Sequence, residues 1–508
     1  MNVLSLVIFL PLAVALGLYA VPRLGDRTVI RTWIVACAVD LALVIALWIG
    51  HETGDGTDGG AGVDGISYET NLRWIPSVRA GYHIGVDGLS LPLLALTALL
   101  FLACAVYSLR QTQQVRAFAA LFLFLQTVCL GLFAALDLLL FFVFFDLSIV
   151  GMYFVIAGWG HGDRTRSALK FFLYTFLGSL ILLLGFIGLY LGAEPHTFDM
   201  VELTRTPPLS GSAGPAALVL LAIGAGLAIK TPTVPFHTWL PPAHTDAPAA
   251  GSAILAGIML KMGTYGFVRI AMPMVPDAWR RYAWVIIIVG LVSVLYGALV
   301  AFAQEDLKRL IAYTSVNHMG YIVLAVGAAG LAGGIDARRL AVTGAVTQMV
   351  SHGLVTGALF LLAGVFNDRA QSYDMGRYGG VARVAPAFSG LVVVGAFASL
   401  GLPGLSGFIA EFQILTGVIG SGGAGIVVAG GTAILGILIT AALFLRLLHR
   451  TLLGPSGELT ARVTDTHRSE FAAIAPLLAL SLVIGIAPRF LLDVIEPVSA
   501  LVVSLVAR

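Results

Sequence analysis

The chain has 508 residues, enough for about three soluble domains. Its composition excludes them, because 58% of the residues are hydrophobic and only 11% are charged, where a soluble globular protein carries roughly 25% charged. Mean hydropathy is +0.96. So few polar residues do not make a water-facing exterior, and the expectation is a polytopic membrane protein surrounded by lipid. The net charge of +2 argues against nucleic acid as a partner.

Lipid satisfies no backbone group, so apolar stretches of about 20 residues must be helices. Fourteen such stretches can be read: 2–21, 29–49, 87–109, 116–134, 138–158, 168–192, 216–239, 250–273, 281–303, 308–328, 340–366, 385–420, 425–448 and 471–495. The first lacks the charged start of a signal peptide, and no A-x-A site precedes Pro22 and Arg23, so it reads as a spanning helix. The longest polar connections, 50–86 and 449–470, are too short for a folded catalytic domain. Lys and Arg concentrate in the connections after odd-numbered stretches, which puts those loops in the cytoplasm and both termini on the outer side.

Asp40 in the second stretch has no partner recognisable from sequence and is expected to make a helix–helix hydrogen bond. Cys37, Cys104 and Cys129 fall singly in apolar runs, without the spacing of a zinc or iron–sulfur site, and read as small buried residues. No metal or cofactor is therefore expected in this chain.

Two stretches should be broken. The seventh runs Ile229-Lys230-Thr231-Pro232-Thr233-Val234-Pro235 and then Pro241-Pro242, and the twelfth carries Gly401-Leu402-Pro403-Gly404-Leu405-Ser406-Gly407. Proline removes a donor and clashes with the preceding turn. Each is fourth in a set of five, stretches 4–8 and 9–13, and the two cross in opposite directions. That pattern predicts two inverted five-helix repeats with interrupted helices at the midplane, a transporter architecture. The implied division is 1–115 for stretches one to three, 116–273 and 281–448 for the two repeats, and 471–508 for the last helix.

Ionisable groups inside spanning helices cost from about 3 to more than 10 kcal/mol and mark function by default. Lys230 precedes the first break, and Asp146 of the fifth stretch is its natural partner. Desolvation disfavours an ammonium and a nearby carboxylate restores it, so such a pair can work as a proton switch. Lys261 lies mid-span with no charged residue within one turn, and Glu411 lies just past the second break. His318 and His352 sit in the tenth and eleventh stretches, where imidazole suits a relay. His237 and His244 flank the prolines of the seventh and either gate a passage or cap loose backbone. Gly420-Ser421-Gly422-Gly423-Ala424-Gly425 spells a dinucleotide fingerprint, but no strand precedes it, and it reads as a connection.

At these residues the sequence resembles the antiporter-like membrane chains of proton-pumping NADH–quinone oxidoreductase (respiratory complex I), most closely the M type. The matching stretches include Gly85-Val86-Asp87-Gly88-Leu89-Ser90, Lys170-Phe171-Phe172-Leu173-Tyr174-Thr175 and Phe236-His237-Thr238-Trp239-Leu240-Pro241. Further on are Leu260-Lys261-Met262-Gly263, Asp306-Leu307-Lys308-Arg309-Leu310-Ile311-Ala312-Tyr313, Ser351-His352-Gly353-Leu354 and the glycine-rich run before Phe408.

The resemblance implies a proton-translocating subunit. In that role Lys230 would be the pumping lysine, Asp146 its partner where glutamate is usual, Lys261 the connecting lysine and Glu411 the exit-side carboxylate. His318 and His352 would lie on the axis between the halves. It also implies that NADH, FMN, iron–sulfur clusters and quinone belong to partner subunits, that the partners include sibling chains and peripheral subunits, and that the location is the bacterial plasma membrane. Two departures bear on the site: Asp146 is one methylene shorter than glutamate and is followed by Val150-Gly151 rather than Ile-Pro or Val-Pro, and Pro242 replaces an acidic residue. Chains of Mrp-type cation/proton antiporters and membrane-bound hydrogenases share these helices, and a non-conducting spacer is the remaining alternative.

Overall fold

The computed structural model describes residues 3–21, 23–53 and 65–507. Pro22 of the signal-peptide reading and part of the 50–86 connection lie outside the described residues. The first six helices are α1 Val3–Ala20, α2 Asp26–Thr53, α3 Leu91–Tyr107, α4 Val115–Ala134, α5 Leu138–Trp159 and α6 Arg164–Gly192. The seventh crossing is α7 Ala213–Lys230 followed, after the unwound 231–239, by α8 Leu240–Asp246. Next come α9 Ala249–Met274, α10 Ala283–Phe302, α11 Leu307–Ala328 and α12 Ile335–Ala370. The twelfth crossing is split into α13 Pro386–Ser399 and α14 Ser406–Gly420, then α15 Ala424–Thr451, α16 Arg468–Ile486 and α17 Arg489–Ala507 complete the chain.

Among the described residues, fourteen helices are long and apolar enough to cross a membrane. This set includes α17 and leaves out the two short halves α13 and α14. The stretch expected at 471–495 is in fact two helices, because Pro488 cannot continue the first. α17 folds over one end of the bundle. A Cβ on Gly88, just before α3, would lie 1.9 Å from the Val494 carbonyl oxygen. Arg280, between α9 and α10, donates to the Val506 carbonyl at 2.8 Å.

The 50–86 connection also holds a two-stranded antiparallel hairpin, β1 Ser67–Ile75 and β2 Ala80–Val86. It covers the same end of the bundle, since Tyr82 meets Ser5 of α1 at 3.0 Å. α1 begins and α16 ends at this face. The anchor of the hairpin is His83, which is 2% exposed. Its Nδ1 lies 2.6 Å from Asp199 Oδ2 and its Nε2 2.8 Å from Glu69 Oε1. Burial works against the imidazolium, but Asp199 and Glu69 outweigh it and hold the His83 pKa above its ordinary value.

α9, α11 and α12 are almost wholly enclosed and form the axis. At 36 residues α12 is about 54 Å long, well beyond a hydrocarbon core of about 30 Å. The split α13–α14 crossing runs antiparallel to it: a Cβ on Gly395 would meet Leu359, and one on Gly417 would meet Ala341.

Two local devices match across the chain. Asp137 caps α5, accepting from the amides of Leu139 and Leu140, and bridges to Asp199. Asp306 caps α11, accepting from the Arg309 amide, and bridges to Asp374. α5 and α11 hold the same place in their sets, and the two caps lie at opposite ends of the bundle. Asp40 makes the expected interhelical bond: Gln126 of α4 donates to its Oδ2 at 2.6 Å and accepts from the Cys37 thiol.

The His83 contact carries a pH dependence. A pKa raised on folding stabilises fully below the unfolded value of about 6.5 and is lost as pH rises through the folded value. Melting temperature measured from pH 6 to 9 is therefore expected to fall over that window in the native chain. In His83→Gln the pH dependence should be flatter and the starting point lower.

Candidate functional site

The helix breaks arise where the sequence removes helical hydrogen bonds. In the first, Thr231-Pro232-Thr233-Val234-Pro235 leaves the Val234 amide to the Ser293 hydroxyl of α10, at 3.0 Å. The Trp239 indole N–H closes the gap by donating to the Ile229 carbonyl at 2.9 Å. In the second, Gly401 and Gly404 adopt φ of +76° and +95°, which favours glycine. Ser406 then joins Ser351 of α12 to Ser481 of α16, with both oxygen separations 2.7 Å.

Lys230 ends α7 and is 1% exposed. Its ammonium donates to the Ser148 hydroxyl of α5 at 3.0 Å and lies 4.8 Å from the centroid of the Phe145 ring. Ser148 in turn donates to the Phe145 carbonyl at 2.6 Å. The expected ion pair with Asp146 is not made as a direct contact: among the described residues no carboxylate lies within 4 Å of Lys230. The reason is helical geometry. Ser148 lies two positions, about 200°, around α5 from Asp146, so the two side chains do not share a face. Asp146 is half-buried, and one of its carboxylate oxygens is enclosed without a partner.

Lys261 is fully buried in α9 between two π-helical segments, Leu255–Met259 and Phe267–Ala271. Such segments widen the helix and release carbonyls from the usual ladder. Its ammonium donates to the Ala256 carbonyl at 2.6 Å and lies 2.5 Å from His352 Nδ1 of α12. With Lys261 as donor, Nδ1 accepts and the ring hydrogen sits on Nε2, which has no protein partner among the described residues.

The His352 ring packs edge-on against His318 of α11, with centroids 5.4 Å apart. His318 Nδ1 lies 3.5 Å from Glu411 Oε1 of α14 and 3.1 Å from the Gln348 amide nitrogen. Its Nε2 lies 3.3 Å from the Ser399 hydroxyl. Four ionisable side chains from four helices thus follow one another as Lys261, His352, His318 and Glu411, none more than 5% exposed. The first break touches the helix that carries Lys261: a Cβ on Gly263 would lie 2.3 Å from the Thr231 hydroxyl, so α9 rests directly on the segment that follows Lys230.

His244 is fully buried, stacks on Phe360 with centroids 4.5 Å apart, and has neither ring nitrogen paired among the described residues. The sequence reading missed Lys308, which is fully buried and donates to the Thr245 carbonyl in α8 and to the Ala247 carbonyl just past it. It also missed Ser148 and Gln348, whose short polar side chains in apolar runs were the available signal. The glycine-rich decoy is the turn between α14 and α15. All three cysteines are buried and free.

The residues of 135–436 match the family model described as NADH:quinone oxidoreductase/Mrp antiporter, TM. NADH-quinone oxidoreductase subunit M of Rickettsia prowazekii is 34% identical over 97% of this chain and 96% of its own length. The protein of the same name from Rhodobacter capsulatus is 36% identical over 98% of this chain and 95% of its own. Among solved structures, a chain of respiratory complex I from Thermus thermophilus with bound NADH superposes with a TM-score of 0.87 at 28% identity, covering both chains fully. A chain of the Mrp complex from Dietzia sp. DQ12-45-1b shares the fold, with a TM-score of 0.85 at 21% identity over both full chains.

The second break generates a comparison. A Cβ on Gly401 would sit 2.5 Å from Glu411 Oε2, whereas one on Gly404 would meet open space. Left-handed backbone alone costs a non-glycine residue about 1–2 kcal/mol. Melting in detergent should therefore show Gly401→Ala losing clearly more stability than Gly404→Ala. Equal losses would mean that the carboxylate is not held against this turn. By sequence and fold, the chain is a multi-pass membrane protein that belongs to the NADH:quinone oxidoreductase/Mrp antiporter family of membrane subunits, among its M-type members.

Proposed function

We propose that this chain is a proton-translocating subunit of a membrane-bound NADH:quinone oxidoreductase. The observation that carries the reading is the enclosed row Lys261–His352–His318–Glu411, with Lys230 beside it at a helix break. A spacer would gain nothing from such groups, because each charge kept in the bilayer core costs several kcal/mol. The row offers donors and acceptors in sequence: an ammonium, two imidazoles that take a proton on one nitrogen and release it from the other, and a carboxylate.

In this reading Lys230 and Lys261 hold and release protons, His352 and His318 pass them along the axis, and Glu411 delivers them toward the opposite face. Asp146 biases Lys230 through space from the far side of α5. Moving one charge against 100 mV costs about 2.3 kcal/mol, and that drive comes from redox chemistry outside this chain. NADH, FMN, iron–sulfur clusters and quinone are assigned to partner subunits, and sibling chains are neighbours in the membrane. Helices α4–α9 and α10–α15 act as two inverted repeats, a reading supported by the matched Asp137 and Asp306 caps at opposite ends. We place the hairpin face and both termini on the outer side of a bacterial plasma membrane, following the loop cations.

The test is Lys230→Ala and, separately, Lys261→Ala in the assembled complex. Each should drop NADH-driven acidification of inverted vesicles below about a tenth of the native level. Co-purification of partner subunits should be retained. Native acidification in either variant would overturn the assignment of that lysine.

A further inference from the structure

A polar cavity lies outside the row, at the end of the bundle where α6 and α11 begin. It measures about 490 Å³ and is lined by Lys170 of α6, His237 and Thr238 of the first break, Tyr296 of α10 and Arg309 and Tyr313 of α11. Lys170 and Arg309 are exposed, and neither forms a salt bridge among the described residues. Asp246, the acidic group in the lining, is engaged elsewhere: its Oδ2 accepts from the Ser167 hydroxyl at 2.5 Å. Asp306, three residues before Arg309, is occupied as the cap of α11.

Two observations favour an anion. His237 is 6% exposed, and its Nδ1 is buried without a partner. Lys170 and Arg309 line the same space against a single carboxylate, Asp246, so the lining carries a net positive charge. A group with several anionic oxygens would satisfy both, and charge-assisted hydrogen bonds are the strong ones.

The surroundings indicate its source. Tyr296 is 41% exposed and continues the apolar stripe Ile288, Val292 and Leu299, each of which is exposed on α10. Lys170 sits between exposed Leu169 and Leu173 of α6. Both cations lie in the first two turns of their helices, at headgroup depth, with acyl-chain surface directly beside them. Basic pockets between spanning helices at this depth suit anionic headgroups. We propose that this cavity holds the phosphodiester of an anionic glycerophospholipid between Lys170 and Arg309, with its acyl chains along α6 and α10, covering the unwound segment beside Lys230.

The test uses the assembly purified with this chain, reconstituted into nanodiscs of phosphatidylglycerol or of phosphatidylcholine. A density map of the first should show a phosphate bridging Lys170 and Arg309. The phosphatidylcholine map should lack it, also with inorganic phosphate in the buffer. In the double variant K170Q/R309Q, phosphatidylglycerol retained after delipidation and counted by native mass spectrometry should bind roughly thirtyfold more weakly, the scale set by two cationic contacts. Four results would overturn the proposal: equal density in both lipids, phosphate density supplied by buffer alone, a neighbouring protein helix filling the cavity, or unchanged retention in the double variant.

Discussion

The organising constraint is a lysine enclosed in the middle of the bundle with no carboxylate in contact. Lys261 has two partners, the Ala256 carbonyl and His352 Nδ1. The first exists because α9 is π-widened immediately before Lys261, which frees a carbonyl five residues back. The second exists because α12 passes through the centre of the molecule, with Gly353 packed against the Gly257 carbonyl. The close approach of α9 and α12 therefore depends on glycines, and the placement of the ammonium depends on that approach. An ammonium held this way has donors to spare and no fixed counter-ion, so its charge answers to whatever changes nearby.

The surrounding elements serve that placement in different ways. The first break sets Lys230 at the end of α7, against Ser148 and the face of Phe145. The second break turns on glycines so that Glu411 can lie against backbone. Serine and glutamine side chains from α12, α13 and α16 fix the remaining polar ends. At the hairpin face, α17 and the β-strands close one end of the bundle. The Asp87–Arg269 pair, at 2.5 Å, ties the start of α3 to α9.

Much of this was legible before any coordinates. A lysine, histidine or carboxylate inside a run of 20 apolar residues is an anomaly whatever the fold, so Lys230, Lys261, His318, His352 and Glu411 stood out. Proline and glycine clusters located both breaks. Pairing was less legible. Asp146 is a natural partner for Lys230 by charge, but contact depends on helical phase, which put Ser148 on the facing side instead. The hairpin escaped because Ser67–Ile75, although Tyr68, Leu72 and Trp74 alternate with Ser67, Glu69, Asn71 and Arg73, is short and lies inside a polar connection. α17 escaped because its apolar residues continue those of α16, and only Pro488 separates them. Lys308 escaped because burial at a helix start depends on the neighbouring Ala247 carbonyl, which no local pattern reveals.

The contact between Lys261 and His352 is the step on which the row depends, since it joins the lysine to the two imidazoles. The most direct measurement is the number of protons moved per electron pair by the assembled complex carrying His352→Leu, which keeps the volume and removes both ring nitrogens. The account predicts a lower ratio, with the subunit still assembled. An undiminished ratio would contradict it, because protons would then be crossing by a route that does not use this axis.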